Sequence, residues 1–377
     1  MRPTKPRVSA LARTLASLIL GSTLALPAWS QILVGQTAGI TGAVASSVKE
    51  ATDGARLWLD AVNGKGGVNG QKIELRQLDD QFDPKVAVDN AKKLIDQGVV
   101  SLFLTRGTPH NQAIMPLLAE HRIPLVGPST GAMVLHDPVN PWVFNVRAPY
   151  QREAERAIRH LSLIGIERIA IVQVDDSFGA DAVVGALKGF TAVGRQPVAH
   201  LKYDRAKPDF APLMPTLKQA NPQAVLYIGS GTAVLDGMKA LRAAGSRAQL
   251  VTLSNNASAG FIKGLGEIAR GTIVAQVLPY ERSMAAPIVK EAHALAAAKG
   301  LEGVTPAMLE GFVSAKVLVE GLRRAGKDPT REKLRTALEG IGKLDLGGLE
   351  LSYSPTDHSG LDFADLSIID ADGKFRR

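Results

Sequence analysis

From Ile32 onward the chain alternates between short apolar runs and longer stretches in which apolar residues recur every three or four positions. Residues 32–35, 72–78, 99–104 and 123–126 are brief runs closed by Gly, Pro or Asp, the pattern of strands buried on both faces. Between them, Val48, Ala51, Ala55, Trp58 and Val62 fall on one face of a helix. Asp83-Pro84 opens a second helix, with a carboxylate to accept from free backbone N–H groups and a proline where no N–H is needed. After Tyr150 the pattern resumes: helix 151–164, strand 168–174, helix 177–193, then strands at 224–228 and 250–252. Parallel neighbours need a helix-length connection, so this order predicts α/β architecture with helices on both faces of parallel sheets. At 377 residues the chain exceeds what one core serves, which predicts two doubly wound lobes joined near 147–150 with a cleft between them. Late helices at 284–299 and 305–325 are expected to pack back on the first lobe.

The first thirty residues follow a different rule. Arg2, Lys5, Arg7 and Arg13 are basic with no acid among them, an apolar run follows at 15–26, Pro27 ends it, and Ala28-Trp29-Ser30 supplies small residues for a cleavage site. That is the pattern of an export signal cut before about Gln31, since a membrane span takes roughly 20 apolar residues. The sequence has no cysteine, which removes lipid attachment, disulfides and thiolate metal sites. Loss of the signal takes the formal charge from +8 to +4, with 44 basic residues falling to 40 against 36 acidic. The remaining charge is dispersed and has no interleaved aromatics, so no nucleic-acid partner is expected. The sequence predicts a soluble protein of the periplasm.

Several motifs offer chemistry. Gly127-Pro128-Ser129-Thr130-Gly131 matches a nucleophile elbow directly after a strand, so an exported esterase using Ser129 is the rival reading. Against it, Asp137-Pro138 interrupts the helix an elbow requires, no HGGG-like segment precedes it, and His358 stands before Asp362 and Asp365. The glycine-rich segment 64–70 runs from helix to strand, the reverse of a phosphate loop. Gly229-Ser230-Gly231 has the right order but lacks the third glycine of a dinucleotide fingerprint. The seven histidines are scattered singly, so no metal site and no cofactor is expected.

What remains are hydroxyls at strand ends, where open α/β sheets bind ligands beside helix N-termini. Thr108 lies between a strand and the helix starting at Pro109, and Ser129 and Thr130 lie at the next strand end. Such groups suit a carboxylate.

The segments Gly39-Ile40-Thr41-Gly42, Asp53-Gly54-Ala55, 62–70 and Leu78-Asp79-Asp80-Gln81-Phe82-Asp83-Pro84 occur in that order. Later come 123–131, Phe144-Asn145-Val146-Arg147, Asp175-Asp176-Ser177-Phe178-Gly179 and 204–210. Together they resemble the leucine/isoleucine/valine-binding proteins of bacterial ABC importers across nearly the whole chain after residue 30. The resemblance implies a type I periplasmic binding protein with three crossing segments. Lobe one would hold 31–147 and 278–345, and lobe two 151–276 and 350–377. It also implies a monomer that closes on a small carboxylate solute and hands it to an inner-membrane permease, without catalysis.

Carried over by position, Thr108, Ser129 and Gly131 would hold the cargo carboxylate, with Thr130 beside them. Phe178 would close over it from the second lobe, Thr232 stands where the family often has an aromatic, and Tyr150 would contact the cargo or brace the hinge. The loop matching the family's acidic amine contact reads Thr252-Leu253-Ser254-Asn255-Asn256, leaving Ser254 as its candidate contact. An ammonium buried without a counter-charge is costly, so the expected cargo is an aromatic or aliphatic acid lacking a free amine. A branched-chain amino acid is the alternative, with Asp175 or Asp176 as counter-charge. Ser46 and Ser47 are expected to leave extra room. An exported sensor feeding a separate receptor would share the fold.

Overall fold

The computed structural model describes Met1, Pro3, Thr4 and residues 31–377; the rest of the expected export signal, including its cleavage point, lies outside the described residues. The chain begins with β1 (Ile32–Ala38), α1 (Ala45–Gly64), β2 (Ile73–Asp79), α2 (Pro84–Asp96), β3 (Ser101–Phe103), α3 (Thr108–Glu120), β4 (Leu125–Val126) and β5 (Val143–Phe144). These strands form one parallel sheet in the order β2-β1-β3-β4-β5. Its longest pairing sets Ile32 opposite Ile73 and Ala38 opposite Asp79. As the sequence indicates, Asp83 caps α2 by accepting from the Lys85 N–H, with Pro84 in its first turn.

The second sheet follows α4 (Tyr150–Leu163) and uses β6 (Ile169–Val174), β7 (Ala199–Tyr203), β8 (Ala224–Ile228), β9 (Gln249–Thr252) and β10 (Ile273–Gln276). Between these strands lie α5 (Ser177–Ala192), α6 (Met214–Ala220), α7 (Thr232–Ala243) and α8 (Ala259–Leu265). All six residues of β6 are buried, as a strand covered by helices on both faces must be. Its parallel strands run β7-β6-β8-β9-β10, which repeats the first sheet's order of second, first, third, fourth and fifth strand. Each sheet therefore has a switch point between its first and third strands, where the helices leave on opposite faces and a crevice opens.

The chain then returns to the first core with α9 (Pro287–Ala298), α10 (Pro306–Arg324), α11 (Arg331–Glu339) and the hairpin β11 (Leu344–Asp345) and β12 (Glu350–Leu351). Ile288, Phe312 and Leu334 pack in one cluster with Val34 and Phe144. The cluster also takes in Leu351, Tyr353 and Leu361, so this stretch sits on the first lobe although the sequence analysis assigned 350–377 to the second. Only β13 (Asp365–Ile369) and β14 (Phe375–Arg376) join the second sheet. They pair antiparallel, Ile368 facing Ile273, where a parallel sheet was expected. The segment arrives from the other lobe and turns back at once through a hairpin, without the helical crossover that parallel pairing requires. Among the described residues no helix is long and apolar enough to cross a membrane.

Candidate functional site

The C-terminal ends of both sets of parallel strands face one cleft. On the first lobe, Thr108 begins α3 and its hydroxyl lies 2.8 Å from that of Thr130, both side chains being buried. One hydroxyl of the pair donates to the other, which leaves a single O–H for a further acceptor beside the helix N-terminus. Ser129 is more constrained. Its Oγ accepts from Arg106 Nη1 at 2.8 Å and donates to Glu310 Oε1 at 2.7 Å, while its N–H is held by Thr105 O. No histidine is among its partners, and His358 instead stacks on Phe144 and meets Val143 O at 2.9 Å. The elbow motif therefore has no histidine beside its serine. Gly131 O accepts the Tyr150 N–H at 2.7 Å, and a Cβ on Gly131 would stand only 2.6 Å from Ala148 O, so this turn admits no larger residue.

Between the lobes lies a charged cluster. Arg147, 2% exposed, donates to Glu153 and to Ser254 Oγ (2.7 Å), and its guanidinium sits 4.4 Å from the centre of the Tyr150 ring. Glu310 Oε2 is 3.9 Å from Arg147 Nη1. Glu153 also accepts the Ser254 N–H at 2.8 Å, tying α4 to the β9 end. Burial pushes the Glu153 carboxyl above its ordinary pKa, against the pull of Arg147. Burial works to lower Arg147, but Glu153, Tyr150 and Glu310 hold it above its usual value. Tyr150 is pushed up by burial as well. Arg106 Nη2 reaches across to Asn255 O at 2.8 Å, so both arginines touch both sides of the cleft.

From the second lobe, Phe178 lies in the first turn of α5 with its ring 4.6 Å from that of Tyr150. The Thr232 N–H opens α7 and donates to Ala43 O of the first lobe at 3.1 Å. That contact needs Gly231, whose φ is +58° and whose Cβ would fall 1.8 Å from Ala43 O. Asn255 Nδ2 donates to Gly229 O and Ser230 Oγ, while its buried Oδ1 has no partner. At the rim, Glu50 accepts from the Ala259 and Gly260 N–H groups, each at 3.0 Å, and from Thr305 Oγ1 at 2.7 Å. The lobes are in contact, and the cleft is closed.

The structure thus gathers Thr108 and Thr130 at one point, Ser129 with Arg106 behind them, and Tyr150, Phe178 and Ser254 around Arg147. The Thr232 N–H makes the lobe contact, and the residue itself is exposed. Ser46 Oγ meets Ser258 Oγ of the second lobe at 3.4 Å, and Ser47 donates to Val44 O. Asp176 caps α5 and pairs with Arg205, and Asp175 pairs with Lys202 at 2.8 Å. Sequence reasoning missed Arg106, Glu153, Glu310 and Glu50. The available signal was a charge set inside an apolar run, as Glu310 is between Leu309 and Phe312. Among the described residues no group of His, Asp or Glu is arranged to hold a metal ion.

A cavity of about 40 Å³ remains in the cleft, lined by Ala43, Phe82, Val174, Tyr203, Arg205, Ser230 and Ala233. Ligand pockets usually span roughly 300–1,000 Å³, so this cavity is smaller than a ligand site. A larger hollow of about 450 Å³, near Leu217 and Leu241, lies away from the strand ends.

Residues 31–373 match the family model described as periplasmic binding protein. The Leu/Ile/Val-binding protein BraC3 of Rhizobium johnstonii is 28% identical, covering 89% of this chain and 93% of its own length. Leu/Ile/Val-binding protein homolog 3 of Brucella melitensis is 24% identical, with 91% and 93% covered. Among solved structures, a substrate-binding periplasmic protein from Ralstonia solanacearum superposes with TM-score 0.84 at 32% identity, over 92% of this chain and 99% of that one.

Proposed function

Because this chain belongs to the periplasmic binding protein family, we propose that it is the solute-capturing component of an ABC importer of the branched-chain-amino-acid type. It is exported, loses residues 1–30, captures a small carboxylate in the cleft, closes, and presents it to an inner-membrane permease as a monomer. The observation that carries this reading is the Thr108–Thr130 hydroxyl pair, set at adjoining strand ends beside the start of α3. Closure follows from contacts a cargo makes with both lobes at once, since a ligand shifts a conformational equilibrium only by its differential affinity.

The cargo lacks a free amine. Loop 252–256 carries no acid, and the two carboxylates near it are already engaged, Glu153 by Arg147 and the Ser254 N–H, Glu310 by Ser129. Two guanidiniums and two carboxylates leave no uncommitted negative charge for an ammonium, and a neutral acceptor such as Asn255 Oδ1 does not replace one. BraC3 is named for leucine, isoleucine and valine, so these are the proper competitors.

A thermal-shift screen of protein beginning at Gln31 tests both levels. Amine-free acids are expected to raise Tm without turnover, because a ligand bound only by the native state stabilises it. Preference for leucine or valine over every such acid would overturn the cargo class and leave the capture role. Absence of any shift with either group, in Thr108-dependent fashion or otherwise, would overturn the role itself. N-terminal sequencing of the exported protein checks cleavage before Gln31.

A further inference from the structure

The cleft leaves no carboxylate free for an ammonium, but the molecule holds one elsewhere. Glu281 lies on the segment that leaves β10 for α9, and its side chain is only 6% exposed. Among the described residues no other residue donates a hydrogen bond to its carboxylate, and Arg282 Nε stands 3.7 Å from Oε1. Buried polar groups nearly always face a partner, so this carboxylate is short of a donor. Burial pushes it above its ordinary pKa, against the pull of Arg282, Arg377 and Arg376.

Glu281 lines a cavity of about 320 Å³, within the roughly 300–1,000 Å³ usual for ligand pockets. The cavity shares no lining residue with the one in the cleft. Besides the crossing segment, three parts of the molecule enclose it. Ala259, Ile262 and Lys263 stand on one face of α8, and residues 372–375 lie at the turn between β13 and β14, both in the second lobe. Val304, Thr305 and Pro306 come from the start of α10 in the first lobe. The walls therefore meet only while the lobes are together, beside the point where Glu50 ties Thr305 to the Ala259 and Gly260 N–H groups.

The lining combines three kinds of surface. Ile262, Val304, Pro306 and Phe375 are apolar. Lys263 and Lys374 are exposed, and among the described residues neither ammonium is paired with a carboxylate. Asp372, the second acid of the lining, is exposed at the turn, whereas Glu281 is buried. A zwitterion answers all three: its ammonium donates to Glu281, its carboxylate meets the two lysines, and an apolar side chain covers the apolar wall.

We propose that this cavity is a second ligand site, which takes an amino acid with an apolar side chain and holds the lobes together. An occupant that touches both lobes favours the closed form by its differential affinity. Coupling between two sites is reciprocal, so filling this one tightens the cleft on its cargo. The amine that the cleft has no charge to receive is received outside it.

Calorimetric titration of protein beginning at Gln31 with leucine and with hexanoate tests the proposal. Glu281→Gln is expected to weaken leucine at least about tenfold, and Lys374→Gln about threefold, while hexanoate stays within about twofold. Thr108→Val should do the reverse. Saturating leucine should tighten hexanoate about fivefold in the unaltered protein and leave it unchanged in Glu281→Gln. Leucine binding that survives Glu281→Gln but is lost in Thr108→Val would place the amino acid in the cleft and overturn the proposal. So would a failure of leucine to bind, or a hexanoate affinity indifferent to saturating leucine. If Glu281→Gln does not fold, Lys374→Gln decides, because its side chain is exposed and an unchanged leucine affinity there counts against the site. In each of these cases hexanoate binding that depends on Thr108 leaves the capture reading standing.

Discussion

The two lobes share a strand order and differ in what they place at its switch point. The first lobe presents side chains: the hydroxyls of Thr108 and Thr130, and Arg106 locked against Ser129. The second presents mostly backbone and neutral amides: the Thr232 N–H on Ala43 O, and Asn255 and Asn256 holding Gly229 O. Side chains fixed by buried hydrogen bonds make a rigid seat, whereas contacts that exist only when the lobes meet make a cover. On the proposed reading, the same topology gives one lobe the work of recognition and the other the work of closure.

Five experiments probe seat, cover, the charged cluster between them and the buried histidines. The largest effect belongs to the cluster. Glu153→Ala leaves Arg147 buried with a neutral hydroxyl as its remaining side-chain hydrogen-bond acceptor, and losing one member of a buried pair costs about 3–5 kcal/mol. Chemical denaturation should show that loss, and Glu153→Gln should recover part of it. A cost below about 1 kcal/mol would mean the lobes are joined without help from this pair.

Acid comes next. His110 and His136 are buried and held down to about 4, chiefly by burial. Their folded values lie below the ordinary 6.5, so the unfolded chain binds the extra protons, and stability is lost as pH falls from about 6.5 to 4. At 1.36 kcal/mol per pKa unit, each histidine accounts for about 3 kcal/mol. Asp80 acts oppositely, since burial pushes it up to about 6 from 3.8; the folded state gains its proton first and recovers about 3 kcal/mol over much of the same window. The net is a fall in Tm between pH 6.5 and 4, reduced in His110→Gln. A fall in Tm that is no smaller in His110→Gln would show that His110 protonates without cost.

Thr108→Val tests the seat. Removing one hydrogen bond to a charged group costs about 1.5–3 kcal/mol, so acid cargo should bind at least tenfold more weakly with little change in the Tm of the free protein. Gly231→Ala tests the cover, because its Cβ meets Ala43 O only when the lobes are together. It should weaken every cargo by a similar factor, whereas Thr108→Val spares ligands without a carboxylate. Glu50→Gln should give the smallest change, a few-fold in affinity, since an amide still offers one acceptor to the Ala259 and Gly260 N–H groups. If Glu50→Gln exceeds Thr108→Val, the division between seat and cover is wrong.

Much of the fold was legible because strand and helix periods differ and are local. The buried runs at 169–174 and 224–228 and the caps at Asp83 and Asp176 follow from neighbouring residues alone. β7 escaped because its exposed edge carries Ala199, His200 and Lys202 among its five residues, which breaks the apolar signal. The return of the late helices was legible, but its last part, 350–361, escaped because Leu351, Tyr353 and Leu361 are too widely spaced to mark an element, and only their packing assigns them. The candidate site divided in the same way. Hydroxyls at strand ends were visible from position, but Arg106, Glu153 and Glu310 find their partners across separations of up to 181 residues, as Ser129 and Glu310 do. No local pattern announces such a pairing.

The long return of the chain also sets the order in which the molecule can be built. The apolar stripe of α1 is covered by α10, where Gly54 and Met308 touch backbone to backbone, more than 250 residues along. The first lobe therefore cannot complete its core until nearly the entire polypeptide exists, whereas five strands of the second lobe lie within one continuous stretch. Contacts this distant in sequence form slowly. That delay leaves the stripe of α1 uncovered until the chain has been made past α10.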